Sequence, residues 1–324
     1  MSKKALVVGI NYYAAGGNLH GCVNDAHAVN QVLSRHMDGS KNFDVKLVTA
    51  VDQASGLTRG QLKDDVTELF RDACDIALFY FAGHGSVEKT GGYLITSECD
   101  RDDAGFPLDD LLKLANDSPA KNKILILDSC YSGNAGAPAS LGGAALLSEG
   151  MTILTASSKD QYASEENGSG VFTTLLVDAL NGGAANLLGE ITPGSIYAHI
   201  DQSLSLWEQR PIFKTNVRAF TSLRKVPPPI ALVDLQKITE LFESPSFEIR
   251  LDPSFEPQPP APNHGILPDP LNNAKFALLQ KMNRLNLVKP IGEEHMYFAA
   301  MNSKSCKLTV LGEHYWNLLK KQRI

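Results

Sequence analysis

Apolar residues in this chain gather into short unbroken runs, separated by stretches where they recur every three or four positions. The runs at 5–10 (ALVVGI), 43–49, 76–81 (IALFYF), 124–127 (ILIL) and 151–156 have the length and density of strands buried on both faces of a parallel sheet. The intervening periodicity predicts helices at 21–36 (Val23, Ala26, Val29, Val32, Leu33), 58–73 (Leu62, Val66, Leu69, Phe70), 108–114, 171–180 and 196–207. A strand–helix alternation of this kind predicts an α/β domain with a mostly parallel sheet and helices on both faces. Residues 93–96 read as a short hairpin arm. Residues 209–215 (QRPIFKT) read as a last edge strand, with Pro211 near its start, where proline is tolerated. The sheet then has six strands.

The pattern changes after residue 224. Eleven of the seventeen prolines lie between 225 and 270, which predicts a semi-rigid extended spacer with a short helix at 235–242. Residues 271–324 then form a small, mainly helical unit, with helices marked by Leu278, Met282 and Leu285, by 295–301, and by Leu311, Tyr315, Trp316 and Leu319. The segment 308–316 (LTVLGEHYW) resembles the end of a winged-helix module. The expected organisation is 1–224, a proline-rich linker over 225–270, and a C-terminal interaction domain over 271–324.

Charge and cysteine usage narrow the function classes. The chain of 324 residues carries a formal charge of −6, which argues against a general nucleic-acid or membrane binder. Residues 264–324 hold nine basic and four acidic side chains, so a local anionic partner is a further expectation for that end. Five cysteines without a CxxC pair fit neither a disulfide framework nor a zinc site. No apolar run approaches the roughly 18 residues of a membrane span, and the basic start MSKK leads into too brief an apolar run for a leader. The expected location is a reducing cytoplasm.

Two strand ends carry the chemistry. The run 76–81 stops at AGHG, and the run 124–127 stops at DSCYSG. Parallel neighbours lie about 4.8 Å apart, and ligands bind beyond the carboxyl ends of such strands. If these two strands pair, His84 and Cys130 meet in one crevice. A thiolate attacks carbonyls, and an adjacent imidazole favours the thiolate. Glycines on both sides of His84 and at Gly133 let backbone amides approach a developing oxyanion, so the N–H groups of Gly85 and Cys130 are the expected donors. The plainer alternative makes Cys130 a buried apolar residue and His84 an ordinary loop histidine.

FYFAGHG followed by ILILDSCYSG resembles the caspase-like cysteine peptidases, in the metacaspase and bacterial caspase-homologue branch. Their His and Cys stand about 50 residues apart, and here the separation is 46. LVVGINYY, LHGCVNDA (19–26) and YASEENGSGVFTTLLVDAL extend the resemblance over residues 4–216. It implies a caspase-like fold, a Cys130–His84 dyad, protein or peptide substrates, and a regulated cell-death or defence setting of prokaryotic type.

Asp25 lies in a motif that resembles the one lining the metacaspase S1 pocket, and Asp128 stands two residues before Cys130. A carboxylate and a basic side chain about 4 Å apart interact by about 4 kcal/mol at an effective dielectric of 20. Cleavage after Arg or Lys is therefore expected. Asp25 as a helix N-cap and Asp128 as a structural carboxylate are the alternatives. No basic residue lies between Cys130 and Lys159, so the segment 131–158 is expected to stay intact in active protein. Lys159 and the pair Arg224-Lys225 are the first accessible self-cleavage candidates. No cofactor is expected. Asp100, Asp102 and Asp103 could at most form a calcium site, and an acidic turn is more simply solvated surface. The rival function is an idle caspase-like scaffold whose residues 271–324 bind a partner protein or DNA.

Overall fold

An apolar run without alternation can only be satisfied by cover on both sides, and the chain supplies it with helices before and after each strand. The computed structural model describes residues 2–88, 90–99, 105–129, 147–156, 165–166, 169–204, 210–258 and 265–324. In chain order the first unit runs β1 (Lys3–Ile10), α1 (Cys22–Ser34), β2 (Asp44–Ala50), α2 (Arg59–Arg71), β3 (Ile76–Ala82), β4 (Gly85–Glu88), β5 (Gly91–Leu94) and β6 (Phe106–Pro107). It continues with α3 (Leu108–Asn116), β7 (Asn122–Asp128), β8 (Met151–Thr155), β9 (Glu165–Glu166), β10 (Ser169–Gly170), α4 (Val171–Asp178), β11 (Glu190–Ile191), α5 (Pro193–Ser203), β12 (Ile212–Asn216) and β13 (Arg224–Lys225).

The principal sheet has the order β12-β8-β7-β3-β1-β2. Five strands are parallel, and β12 pairs antiparallel with β8 at the edge. This is the expected six-stranded, mostly parallel sheet. Successive side chains of a strand point to opposite faces, and β3 shows the result. Ala77, Phe79 and Phe81 enter a core with Leu62, Val66, Phe70 and Leu111 of α2 and α3. Ile76, Leu78, Tyr80 and Ala82 enter a second core with Ala26, Val29, Phe172, Leu176 and Ile196 of α1, α4 and α5. The hairpin arm begins earlier than expected, at Gly85 directly after His84, and forms a separate three-stranded sheet β4-β5-β6.

The second compact unit begins at Pro228. It contains α6 (Leu232–Gln236), α7 (Ile238–Leu241), β14 (Glu248–Arg250), α8 (Pro270–Arg284), β15 (Val288–Ile291), α9 (Met296–Met301), β16 (Ser305–Leu308) and α10 (Val310–Lys320). Two expectations need correction here. The stretch 225–270 is not simply a spacer: Leu235, Ile238 and Phe242 are fully buried, β14 is an edge of the sheet β14-β16-β15, and the Trp316 indole N–H donates to the Phe242 carbonyl at 2.8 Å. Proline density concealed a helical apolar face and an alternating strand. The three C-terminal helices form as expected, but β15 and β16 are separated by α9 rather than joined as a hairpin wing. The winged-helix likeness is therefore not reproduced in detail.

This division also changes the charge picture. Residues 228–324 contain eleven Lys and Arg against ten Asp and Glu, so the excess counted over 264–324 is nearly cancelled within the folded unit. Asp100, Asp102, Asp103 and Lys159 lie outside the described residues. Among the described residues there is no His, Cys, Asp and Glu cluster suited to a metal ion, and no helix long and apolar enough to cross a membrane.

Candidate active site

β3 and β7 are parallel neighbours, and their register places Ala82 opposite Asp128. The Gly83 N–H continues the pairing to the Asp128 carbonyl at 3.2 Å. His84 is two residues past the end of β3. Cys130, which lies outside the described residues, is two residues past the end of β7 in the sequence.

His84 is held from two directions by the loop after β1. Its backbone N–H donates to the Tyr13 hydroxyl at 2.7 Å, and the two rings lie 4.6 Å apart at 48°. A Cβ on Gly83 would lie 2.7 Å from that hydroxyl, so glycine is required for the approach. His84 Nε2 is 2.6 Å from the Gly17 carbonyl oxygen. A carbonyl only accepts, so Nε2 carries the proton and Nδ1 is the unprotonated nitrogen.

The hairpin that follows leaves an amide available. The Ile95 N–H donates to the His84 carbonyl at 3.0 Å, which makes Gly85 and Leu94 a non-hydrogen-bonded pair of the antiparallel ladder. The hairpin therefore does not use the Gly85 N–H.

Asp25 and Asp128 converge from different elements. Asp25 stands in the first turn of α1, but the N-cap is Gly21, and Asn11 Oδ1 accepts the Val23 N–H at 3.1 Å. Asp25 is thus no N-cap. It is 3 % exposed and accepts the Gly170 N–H through Oδ2 at 3.0 Å. Asp128, 7 % exposed at the end of β7, accepts the Thr173 hydroxyl through Oδ2 at 2.6 Å. A Cβ on Gly170 would lie 2.7 Å from Asp128 Oδ2 and 3.2 Å from Asp25 Oδ2, so both carboxylates crowd the same glycine. The Tyr80 hydroxyl is 2.6 Å from Thr173 Oγ1. Burial, with Asp128 and then Asp25 beside it, pushes the Tyr80 phenol well above its ordinary value. Tyr80 therefore keeps its proton.

Tyr13, Gly17, Tyr80, Gly170 and Thr173 were not singled out by the sequence reading. Only the motif blocks that contain Tyr13, Tyr80, Gly170 and Thr173 hinted at them, and Gly17 lies outside every block. The other cysteines are described and buried. Burial raises the Cys74 thiol and pushes that of Cys306 up to about 12, which keeps both protonated and unreactive. Arg224, expected to be an accessible cleavage point, is instead buried in β13. Its guanidinium donates to the carbonyls of Arg35 and Leu180 and to Asn181 Oδ1.

The family model for the peptidase C14 caspase domain matches residues 2–225. Metacaspase-7 of Arabidopsis thaliana is 30 % identical over 151 residues, covering 41 % of this chain and 35 % of the relative. Metacaspase-1 of Schizosaccharomyces pombe is 33 % identical over 147 residues, covering 41 % and 34 %. The chain thus spans about a third of the length of these curated relatives. Caspase-1 from Spodoptera frugiperda superposes with a TM-score of 0.51 at 12 % identity, over 70 % of this chain and 91 % of that one, a likeness of fold alone. With a caspase-domain match over more than two thirds of its length and the parallel sheet to carry it, this chain belongs to the caspase-domain peptidase family.

Proposed function

We propose that this chain is a cysteine endopeptidase cleaving after Arg or Lys, with Cys130 as nucleophile and His84 as base and then acid. The observation that carries this reading is the Ala82–Asp128 register at the ends of two adjacent parallel strands, since His84 and Cys130 each follow two residues later in the sequence. In the first step the Cys130 thiol gives its proton to His84 Nδ1, and the sulfur attacks the scissile carbonyl carbon. The amides of Gly85 and Cys130 stabilise the oxyanion. The imidazolium, steadied by the Gly17 carbonyl on Nε2, then protonates the departing amine. Water, activated by the same imidazole, releases the acyl group and restores the thiol.

Selection of a basic P1 side chain is assigned to Asp25 and Asp128, whose carboxylates converge at Gly170. Two anionic groups in a buried setting attract a cation strongly and reject a carboxylate. For residues 228–324 the reading is recruitment of a partner protein and regulation of the peptidase. The near balance of charge over that unit disfavours a phosphate-binding role. A prokaryotic cell-death or defence setting rests on family resemblance alone.

The test is turnover of a fluorogenic arginine peptide by the full chain and by Cys130→Ala. Turnover lost in the variant supports the reading. Equal turnover, or none from either protein under activating conditions with and without calcium, would make the caspase domain a scaffold. Mass analysis of active protein should find residues 131–158 uncut.

A further inference from the structure

We propose that Thr173 and Tyr80 are positioning residues for substrate selection, acting as a one-way hydroxyl relay that fixes the Asp128 carboxylate; this rests on the basic-P1 reading above. The relay is defined by proton counting. Thr173 has one hydroxyl proton, and Asp128 Oδ2 at 2.6 Å takes it. Its oxygen can therefore only accept from Tyr80, also at 2.6 Å. The order Tyr80 to Thr173 to Asp128 follows, and a tyrosine that keeps its proton cannot reverse it.

Burial gives the relay its weight. Tyr80 is 0 % exposed, Thr173 1 % and Asp128 7 %, so water is a poor substitute for any of these bonds. A buried carboxylate stays charged only if donors replace its hydration, and a hydrogen bond to an ionised acceptor is about twice as strong as a neutral one. The residues come from three elements: Tyr80 from β3, Asp128 from β7 and Thr173 from α4. The relay thus fastens Asp128 to the first turn of α4.

The same turn serves the second carboxylate. Gly170, the N-cap of α4, donates its N–H to Asp25, and Thr173 lies three residues on. One helix start therefore holds both anionic groups, through a backbone donor for one and a side-chain donor for the other. A helix N-terminus also favours negative charge. The sequence separations of these bonds, 145 residues for Gly170 to Asp25 and 45 for Thr173 to Asp128, show that α4 organises groups supplied from far along the chain.

The experiment compares kcat/KM on peptides with arginine, lysine or norleucine at P1, using the full chain, Thr173→Val, Thr173→Ser and Tyr80→Phe. Wild type should prefer arginine over norleucine. Thr173→Val should reduce that ratio by about tenfold or more, mainly through KM for the basic peptides. Thr173→Ser should restore it, and Tyr80→Phe should give a smaller loss. A packing role alone would leave the ratio unmoved. A Thr173→Val enzyme with the wild-type ratio overturns the relay while leaving the basic-P1 reading intact. Wild type without a basic preference overturns that reading, and the relay with it. Should Thr173→Val fail to fold, Tyr80→Phe decides, and an unchanged ratio there overturns the proposal.

Discussion

The Gly17 carbonyl oxygen lies 2.6 Å from His84 Nε2, although 67 residues separate them in the chain. This bond fixes the tautomer and leaves Nδ1 as the unprotonated nitrogen. The Tyr13 hydroxyl, from the same loop, holds the backbone of His84. Neither partner needs to touch a substrate to govern the direction in which the imidazole faces.

Tyr13→Phe tests that hold. The variant keeps the ring beside His84 and removes the acceptor for its N–H. An unsatisfied buried donor costs about 1–3 kcal/mol. We expect kcat to fall about tenfold, KM to change little, and the melting temperature to drop by only a few degrees. An unchanged kcat would show that the His84 backbone is fixed without the hydroxyl.

Gly170→Ala addresses the two carboxylates directly. The backbone at Gly170 has φ −68°, which alanine adopts freely, so any effect arises from crowding. The new methyl would lie 2.7 Å from Asp128 Oδ2. KM for arginine peptides should rise about tenfold or more, with kcat on a norleucine peptide nearly unaffected. Equal losses on both peptides would point to general disruption of α4.

Arg224 should resist proteolysis in the native protein. Its three acceptors tie β13 to Arg35, just past α1, and to Leu180 and Asn181, just past α4. Limited trypsin digestion should leave this bond uncut. Arg224→Ala removes charge-assisted bonds and should lower stability by about 2–3 kcal/mol, or about 5–10 °C in melting temperature. Rapid cleavage of native wild type after residue 224 would contradict the buried arrangement.

A pH dependence follows from His36. Its Nδ1 accepts the Lys225 N–H at 3.0 Å, which requires the neutral ring. Burial, then the charge of Lys3, hold His36 below the ordinary histidine value, with Lys225 and Arg224 adding to the effect and Asp38 opposing it. The folded state therefore binds this proton less readily than the unfolded chain. Its contribution is present above about pH 6.5 and is lost as pH falls below that toward the folded value. His36→Asn keeps an acceptor and cannot protonate. Melting curves between pH 5 and 8 should show a shallower acid loss for the variant, and parallel slopes would remove His36 as the cause.

Much of the first unit was legible because each run such as IALFYF has to be covered on both sides, and the spacing between runs leaves room for only one helix. The ends of β3 and β7 could be located for the same reason. The partners of those ends could not. Gly17, Tyr13, Thr173 and Gly170 act through a carbonyl, hydroxyls and an amide whose neighbours are set by packing, and local periodicity carries no record of them. The second unit misled for a different reason. Its prolines flank Leu235, Ile238 and Phe242 without interrupting their shared face, while Pro290 sits inside β15. Composition outweighed pattern where pattern was the better guide.

The alternation of β3 has an evolutionary consequence. Tyr13, which steadies His84, shares its core with Phe79 and Phe81, whereas Tyr80, which reaches toward Asp128, belongs with Phe172 on the opposite side of the sheet. Under the proposed roles, bond-breaking competence and taste for a particular residue are rooted in separate interiors. Drift in one can retune what is cut while the machinery that cuts is inherited unaltered.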